Sequence, residues 1–300
     1  SLKNNYNNMK PKMKLIKTIT LATFVLGMSV TSMFAQEKWP EKINFGVIPV
    51  AGSTSMKENF SGLTEHLNKK LGIKVELQLA GDYTGVITGM QHKHIDVAYF
   101  GPESYVQAQK RANAEALVVE VDIESGVPGY RGIIITKKDS GLNSLKSIKG
   151  KTWAFTSSQS TSGTLVPTVM FSKSGINPQE YFSKVLYSGG HEASILSIKA
   201  GKIDAASTND LDFNRGLGKA WTADDFNIIW KSDLIPGSPM AVRGDLPESL
   251  KKALKEAFIS YNDKDGLNKL KIKGYIEAND SMYNPIRDLI EVKKQLEEKK

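Results

Sequence analysis

The sequence predicts an α/β protein made of two lobes with a cleft between them, and three observations point to this fold class. The chain has 300 residues, of which 40% are hydrophobic and 24% are charged, a length and balance that suit two packed lobes. From Ile43 onwards, short apolar segments alternate with amphipathic ones, as strands alternate with helices. Two breaks rich in Pro and Gly, at 126–129 and 235–239, bracket about a hundred residues, which indicates one lobe inserted into another.

The first series of elements follows this alternation closely. The segment 43–49 is an apolar strand closed by Pro49, and 58–71 is a helix with four apolar side chains on one face and Gly72 after its last turn. The next elements are predicted as a strand at 73–79, a helix from Asp82, a strand at 95–99, a helix from Pro102 and a strand at 116–121. Because short strands joined by helices pair in parallel, we expect parallel sheets covered on both faces.

The second series begins after the first break and ends at the second. Its strands are predicted at 132–136, 152–156, 184–187, 205–207 and 227–230, with helices from Gly163, His191 and Leu211. A strand at 240–243 follows the second break, and the rest is predicted to be helical, with helices at 248–261, near Asp265 and from Pro285 to the C-terminus. We therefore place lobe 1 at 36–129 plus 237–300, and lobe 2 at 130–236.

Residues 1–35 have the layout of a secretory signal peptide. They contain a basic stretch at 13–17, an apolar run at 19–30 and a small-residue exit that ends at Ala35. The apolar run is shorter than the roughly 20 residues that span a bilayer, so a permanent membrane anchor is the minor alternative. We treat residues 1–12 as upstream sequence, and we predict cleavage near Ala35 and a mature chain in the periplasm.

The formal net charge of +8 does not indicate a nucleic-acid partner. Five of the 40 basic residues lie within 1–35, whereas all 32 acidic residues lie beyond it, so the two lobes are nearly balanced in charge. The absence of Cys excludes thiolate metal sites, iron–sulfur clusters, a Cys nucleophile and a lipid-modified Cys. The four His residues show no metal-binding pattern, so the sequence predicts neither a metal nor a cofactor.

A run of hydroxyl-bearing residues at 157–164 is the strongest candidate for a ligand site. It follows a predicted strand, precedes an apolar helix and includes Ser160, Thr161 and Ser162. Hydroxyls and unsatisfied backbone N–H groups at a helix start donate toward one point, where the helix dipole favours negative charge. The pattern predicts an oxyanion site, and the alternative is a helix cap preceded by a flexible Ser-rich loop.

His191 is the second candidate, and no enzyme motif accompanies it. It opens a helix after Gly189 and Gly190, where an imidazole N–H can face an anion; the alternative is a plain capping residue. The string that ends at 150–152 imitates a phosphate-binding loop, but Leu145 stands where the first Gly is required. No serine-hydrolase elbow and no metallopeptidase motif is present, so we predict a binding protein rather than an enzyme.

Several strings together resemble the periplasmic phosphate/phosphite/phosphonate-binding proteins of ABC transporters, the PhnD-like family. They lie at 81–85, 95–101, 127–130, 160–163, 190–192 and 230–237. The resemblance implies the type II periplasmic-binding-protein fold, in which two lobes joined by two crossing segments close on a ligand by a hinge motion. It also implies a small phosphorus oxyanion as ligand and an ABC transporter permease in the inner membrane as partner.

The resemblance further implies which side chains hold the oxyanion. In the family, the oxygens are bound by a Ser-Thr-Ser run, by the Tyr of an Asp-Tyr-x-Gly string, by a Tyr after Pro-Gly and by the His of Gly-His-Glu. The matching residues here are Ser160, Thr161, Ser162, Tyr83, Tyr130 and His191. Neutral donors of this kind cost less to desolvate than Lys or Arg, which agrees with the oxyanion site inferred from the hydroxyl run.

The sequence departs from the aminoalkylphosphonate-binding members at two positions. Those members hold the substrate ammonium with a Glu and an Asp, and the matching positions here are Leu211 and Ser238. Because a buried ammonium without a carboxylate is costly, we expect a ligand without an amine. Phosphite and methylphosphonate are favoured, and phosphate and hypophosphite are further candidates. Asp210 is expected to accept a hydrogen bond from a protonated P–OH group. The alternatives are an aminoalkylphosphonate binder, a ligand-binding sensor subunit and, less favoured, a hydrolase.

Overall fold

Eleven strands and ten α-helices are present in the part of the chain that the computed structural model describes, residues 37–299. The strands are β1 (Lys42–Val47), β2 (Lys74–Leu79), β3 (Val97–Tyr99), β4 (Ala114–Asp122), β5 (Gly129–Lys137), β6 (Thr152–Phe155), β7 (Lys184–Tyr187), β8 (Ala205–Asn209), β9 (Phe226–Pro236), β10 (Pro239–Arg243) and β11 (Ile272–Glu277). The helices are α1 (Ser53–Leu71), α2 (Tyr83–Gln91), α3 (Pro102–Ala112), α4 (Val166–Lys173), α5 (Pro178–Tyr181), α6 (His191–Lys199), α7 (Asp210–Gly216), α8 (Glu248–Ile259), α9 (Lys264–Leu270) and α10 (Asn284–Glu298).

The strands form two mixed sheets. Sheet A has the order β11-β4-β10-β3-β1-β2, in which β1 is parallel to β2 and β3, whereas β10 and β11 are antiparallel to their neighbours. Sheet B has the order β7-β6-β8-β5-β9, in which β6 is parallel to β7 and β8, whereas β5 is antiparallel to β8 and β9. The prediction of parallel sheets is therefore correct only in part, because the strands next to the crossings between the sheets run against their neighbours.

Most predicted elements are present, and some of the signals that predicted them are visible in the structure. Asp82 accepts a hydrogen bond from the backbone N–H of Gly85 at 2.7 Å and so caps α2. Pro102 occupies the first turn of α3, after Gly101. The prediction of an all-helical C-terminal part is wrong, because β11 pairs with β4 there. Its alternation of apolar and polar residues is short and contains Gly274, which weakens the strand signal.

Helices cover both faces of sheet B, as expected from its sequence. Successive residues of β5 point to opposite faces, so Ile133 and Ile135 belong to one apolar cluster and Ile134 belongs to another, with Trp153. A larger apolar cluster surrounds sheet A.

The chain passes between the sheets twice. It leaves sheet A after β4 to enter β5, and it returns from β9 to β10, with Gly129 paired to Pro236 where the two crossings lie side by side. The lobe limits at 36–129 plus 237–300 and at 130–236 stay a prediction. The predicted signal peptide and its cleavage position lie outside the described residues. Within 37–299, no helix has both the length and the apolar character needed to span a membrane.

Candidate functional site

The carboxyl ends of parallel strands from both sheets meet at one small polar cavity. In sheet B, strands β6, β7 and β8 are followed by a π-helical turn at Thr161–Leu165, by α6 and by α7. In sheet A, β2 and β3 are followed by α2 and α3. Open α/β sheets bind ligands at this edge, because helix starts with unpaired N–H groups gather there. The space between the lining atoms is about 310 Å³, including the part that opens to solvent.

Six of the seven predicted site residues line this cavity. They are Tyr83, Tyr130, Ser160, Thr161, Ser162 and His191. Leu211 and Ser238, the two positions where the sequence departs from the aminoalkylphosphonate binders, line it as well. Asp210 is not among the lining residues. Its Oδ1 accepts a hydrogen bond from the backbone N–H of Arg131 at 3.0 Å, so the structure does not bring this carboxylate to the other six.

The three hydroxyls of the run Ser160, Thr161 and Ser162 are all buried, and each already accepts a hydrogen bond within the protein. The donors are the backbone N–H of Gly163 for Ser160 at 3.1 Å, the backbone N–H of Glu103 for Thr161 at 2.9 Å, and Nδ2 of Asn209 for Ser162 at 3.1 Å. An accepting hydroxyl keeps its own hydrogen to donate. The three side chains are therefore set up as donors to an anion in the cavity.

Close packing at Gly163 shapes the start of this turn. A Cβ atom at Gly163 would overlap Oγ1 of Thr156, the residue that directly follows β6. Only a residue without a side chain lets the π-helical turn pack this tightly against the strand. This close packing explains why the first turn carries a Gly at position 163.

The two tyrosines supply further neutral donors. The hydroxyl of Tyr83 is buried and has no hydrogen-bond partner among the described residues, which leaves it available to a ligand. Burial raises the pKa of Tyr83 and of Tyr130 well above the usual value for tyrosine, so both keep their phenolic hydrogen.

His191 lies at the start of α6 with its ring buried. Its Nδ1 is 2.9 Å from Oγ1 of Thr208, and its Nε2 is 3.4 Å from Oγ of Ser160 and 3.8 Å from Oδ2 of Asp212. Burial lowers the pKa of His191, and the positive charge of Arg215 lowers it further, although Asp212 opposes the shift. The ring is therefore neutral at pH 7 and can act as a hydrogen-bonding group.

Two acidic residues, Asp212 and Glu120, also line the cavity, and the sequence analysis did not predict them as site residues. Arg215 joins the two carboxylates, since its Nη1 is 2.9 Å from Oδ1 of Asp212 and its Nη2 is 3.0 Å from Oε2 of Glu120. Nη1 also donates to the hydroxyl of Tyr99 at 3.2 Å. Burial raises the pKa of Glu120 to about 7, against the lowering effect of Arg215. The sequence offers one sign that Glu120 has a special role, since it is the single acidic residue in the apolar strand predicted at 116–121.

Loops from the two sheets touch beside the cavity. The backbone N–H of Glu192 donates to the carbonyl of Val50 at 3.0 Å, and the backbone N–H of Gly52 donates to Oε1 of Glu192 at 3.2 Å. A Cβ atom at Gly190 would lie 2.7 Å from the carbonyl oxygen of Pro49. The residues between β1 and α1 thus press against the start of α6.

The chemistry available in this cavity is anion binding by neutral donors. No Lys or Arg is among the residues of 37–299 that line it. Over the same residues, no group of three His, Asp or Glu side chains is placed to hold a metal ion. Hydroxyls, an imidazole and a helix start stabilise an oxyanion through hydrogen bonds and the helix dipole.

Comparisons with known proteins point to one family. The family model described as "ABC transporter, phosphonate, periplasmic substrate-binding protein" matches residues 45–283. The chain is 31% identical to the phosphonates-binding periplasmic protein of Escherichia coli K12, over 89% of this chain and 84% of that protein. It is 31% identical to the phosphate-import protein PhnD of Mycolicibacterium smegmatis, over 79% and 77% of the two chains.

A solved structure shows the same architecture. The binding-protein component of an ABC phosphonate transporter from Pseudomonas aeruginosa superposes with a TM-score of 0.81 at 31% identity. The alignment covers 87% of this chain and 88% of that one. The mixed α/β arrangement with two sheets is therefore shared along most of both chains.

Proposed function

This chain belongs to the family of periplasmic substrate-binding proteins of phosphonate ABC transporters, and from that premise we propose that it binds a small phosphorus oxyanion without an amine and passes it to an ABC permease in the inner membrane. Its fold is the type II periplasmic-binding-protein fold. The proteins it matches are binding proteins, which agrees with the prediction that the chain is not an enzyme.

One observation carries the proposal. Six neutral donor side chains, Tyr83, Tyr130, Ser160, Thr161, Ser162 and His191, converge on a cavity whose lining contains no basic residue among those described. A compact oxyanion with several acceptor oxygens satisfies all of these donors at once. A ligand with few acceptor atoms leaves some of these donors unpaired, and an unsatisfied buried polar group costs about 1–3 kcal/mol.

The surroundings of the cavity favour a ligand without an amine. A buried ammonium needs a carboxylate partner. Asp212 and Glu120 line the cavity, but each forms a salt bridge with Arg215, so an ammonium would have to compete with that guanidinium. Leu211 and Ser238 offer no charge. Among ligands without an amine, we favour phosphite and methylphosphonate, and phosphate and hypophosphite are further candidates.

The family is periplasmic, and we propose that this chain reaches the periplasm by the signal peptide read from residues 1–35, with cleavage near Ala35. The names of the two relatives differ in ligand, phosphonates for the E. coli protein and phosphate for the M. smegmatis protein, at the same 31% identity. Overall sequence identity therefore does not indicate which oxyanion this chain binds, and the residues that line the cavity are the better guide.

Binding to a panel of oxyanions tests the proposal directly. The purified mature protein is titrated by calorimetry with phosphite, methylphosphonate, phosphate and hypophosphite, with sulfate as a control and 2-aminoethylphosphonate as the amine probe. At a thousand times its Kd, a ligand adds roughly 4 kcal/mol to the free energy of unfolding, so melting temperatures give a second measurement. We expect at least one phosphorus oxyanion to bind, and 2-aminoethylphosphonate to bind at least about tenfold more weakly than methylphosphonate.

Three outcomes overturn parts of the proposal. If none of the four phosphorus oxyanions binds or shifts the melting temperature, the function is wrong. If the amine probe binds more tightly than methylphosphonate, the ligand class is wrong, and the acidic pair serves the ammonium. Release of phosphate from an ester by the protein would favour the hydrolase alternative instead.

A further inference from the structure

A carboxylate in an anion-binding cavity needs an explanation, and Asp212 is such a carboxylate. Its side chain is 11% exposed and lines the cavity, with Oδ2 at 3.8 Å from Nε2 of His191. Nδ2 of Asn209 donates to this same oxygen at 2.8 Å and also to Oγ of Ser162 at 3.1 Å. Oδ2 of Asp212 thus shares a hydrogen-bond donor with one of the hydroxyls assigned to the ligand. A fully ionised oxyanion bound by that hydroxyl would lie beside a negative charge that Arg215 neutralises only in part.

The surroundings keep Asp212 ionised. Burial alone would raise the pKa of Asp212, but the charge of Arg215 and the hydrogen bond from Asn209 help to hold it below the usual range. Arg215 is bound to Oδ1, so Oδ2 is the oxygen left with acceptor capacity. Arg215 does not cancel the charge of the pair fully, because it also serves Glu120.

We propose that Oδ2 of Asp212 accepts a hydrogen bond from a P–OH group of the ligand, so that the site selects the monoprotonated oxyanion over the fully ionised one. This inference rests on the proposed function and names the protonation state of its ligand. An O–H···O⁻ bond between ligand and carboxylate is short and strong, whereas two bare oxygens at the same place repel each other. The carboxylate thereby discriminates between two forms of one molecule.

Other ionisable groups face the same cavity, and the experiment has to separate them from Asp212. They are His191 on α6, Glu120 on β4, Tyr99 on β3, Tyr83 on α2 and Tyr130 on β5. Arg215 on α7 does not line the cavity, but it contacts Asp212 directly. His191 and Glu120 are the two that can exchange protons near neutral pH, because the tyrosines and Arg215 titrate far above it.

Proton linkage measures the proposed bond. Methylphosphonate and, in parallel, phosphite are titrated into the protein at pH 8.5, where both are dianions, in two buffers of different ionisation enthalpy. If the site binds the monoanion, the wild-type protein takes up about one proton per ligand bound, and its affinity falls about tenfold per pH unit above the second pKa of the ligand. At pH 6, where the ligand already carries the proton, uptake is small.

Four variants assign the proton. Asp212→Asn keeps the shape of the side chain but removes the charge, so we expect uptake at pH 8.5 to vanish and affinity at pH 6 to drop about 10- to 100-fold. His191→Gln and Glu120→Gln remove the two other groups that exchange protons, and we expect each to retain the uptake. Asp210→Asn tests the carboxylate suggested by the sequence, and we expect it to retain the uptake as well.

The outcomes separate this inference from the proposed function. If wild-type protein binds either probe without proton uptake at pH 8.5, the inference is wrong and the function stands; this measurement does not depend on whether any variant folds. If Asp212→Asn folds and retains uptake, or if His191→Gln, Glu120→Gln or Asp210→Asn abolishes it, the proton belongs elsewhere and the inference is wrong. If neither probe binds wild-type protein, the inference falls, and binding of phosphate or hypophosphite then decides the function separately.

Discussion

Ser162 contributes a hydroxyl that every candidate ligand shares, because all of them carry P–O⁻ groups. Its oxygen accepts from Asn209 at 3.1 Å, so its hydrogen is free for the ligand. We expect Ser162→Ala to weaken each accepted oxyanion about five- to 150-fold, a loss of roughly 1–3 kcal/mol. Calorimetry with the best ligand of the panel measures this loss.

Ser158→Ala is the matched control for this prediction. Ser158 lies in the same loop but is exposed and does not line the cavity. Its substitution should leave affinity unchanged. Equal affinities of wild-type protein and Ser162→Ala would show that the hydroxyl does not reach the ligand.

The single residues of the site differ in how well the sequence predicts them. The hydroxyl run and His191 are recognisable because they stand between a strand and a helix, where donors converge. Asp210 and Asp212 are harder to tell apart. Residues two apart on a helix point about 200° away from each other, so the choice depends on the orientation of α7, which no local pattern specifies. The structure turns Asp210 toward Arg131 and Asp212 toward the cavity.

At the scale of elements, Glu103 of α3 is a buried carboxyl that limits stability at high pH. Its Oε2 has no hydrogen-bond partner among the described residues. Burial raises its pKa to about 8, against the lowering effect of the charge of Lys293 on α10. A raised pKa in the folded state means that its stabilising effect is complete below the unfolded-state pKa of 4.5 and is lost as the pH rises through about 8.

We therefore expect Glu103→Gln to be more stable than wild-type protein at pH 9, by at most about 5 kcal/mol, and to show little of this gain at pH 5. Urea unfolding at the two pH values measures the difference. Glu124→Gln, a change at an exposed position, is the control. A gain of the same size at both pH values would mean that ionisation of Glu103 is not the cause.

Elements with a strong periodic pattern are predicted well, and those that depend on pairing are not. The apolar face of α1, the cap of α2 and the first-turn Pro of α3 are local signals. β11 has a weak local pattern and exists because it completes the edge of sheet A beside β4. The direction of a strand depends in the same way on the neighbour it meets, which explains the antiparallel positions of β5 and β10.

We expect ligand binding to bring the two sheets together. We place the hinges at Pro128–Arg131 and Ile235–Pro239, because these Pro- and Gly-rich segments bracket the inserted lobe and the two crossings run side by side there. Small-angle X-ray scattering should give a smaller radius of gyration with saturating ligand than without it, and sulfate serves as the control. An unchanged radius would reject hinge closure and leave the binding site untouched.

The division into two lobes is suggested by the two Pro/Gly breaks, but the contacts between the sheets are not predictable from the sequence. Arg215 on α7 binds Glu120 on β4, 95 residues earlier in the chain, and also the carbonyl of Leu270. Such a bond depends on how the sheets are placed in space. The spacing of charged residues along the chain therefore does not predict the bond between Arg215 and Glu120.

Substitutions at Gly190 offer a way to change the distance between the two sheets, because this residue packs against the carbonyl oxygen of Pro49. Its φ of −167° is extended backbone that any residue adopts, so a side chain there acts by size alone against the carbonyl of Pro49. Substitution of Gly190 by Ala, and then by the larger Val, should push the start of α6 away from the carbonyl of Pro49 by increasing amounts and so hinder closure of the site. We expect ligand residence times, measured by stopped flow, to shorten in that order, whereas Gly81→Ala, with open space around it, changes nothing. Such variants would be rapidly exchanging sensors for the same oxyanion, built by changing one residue that does not line its cavity.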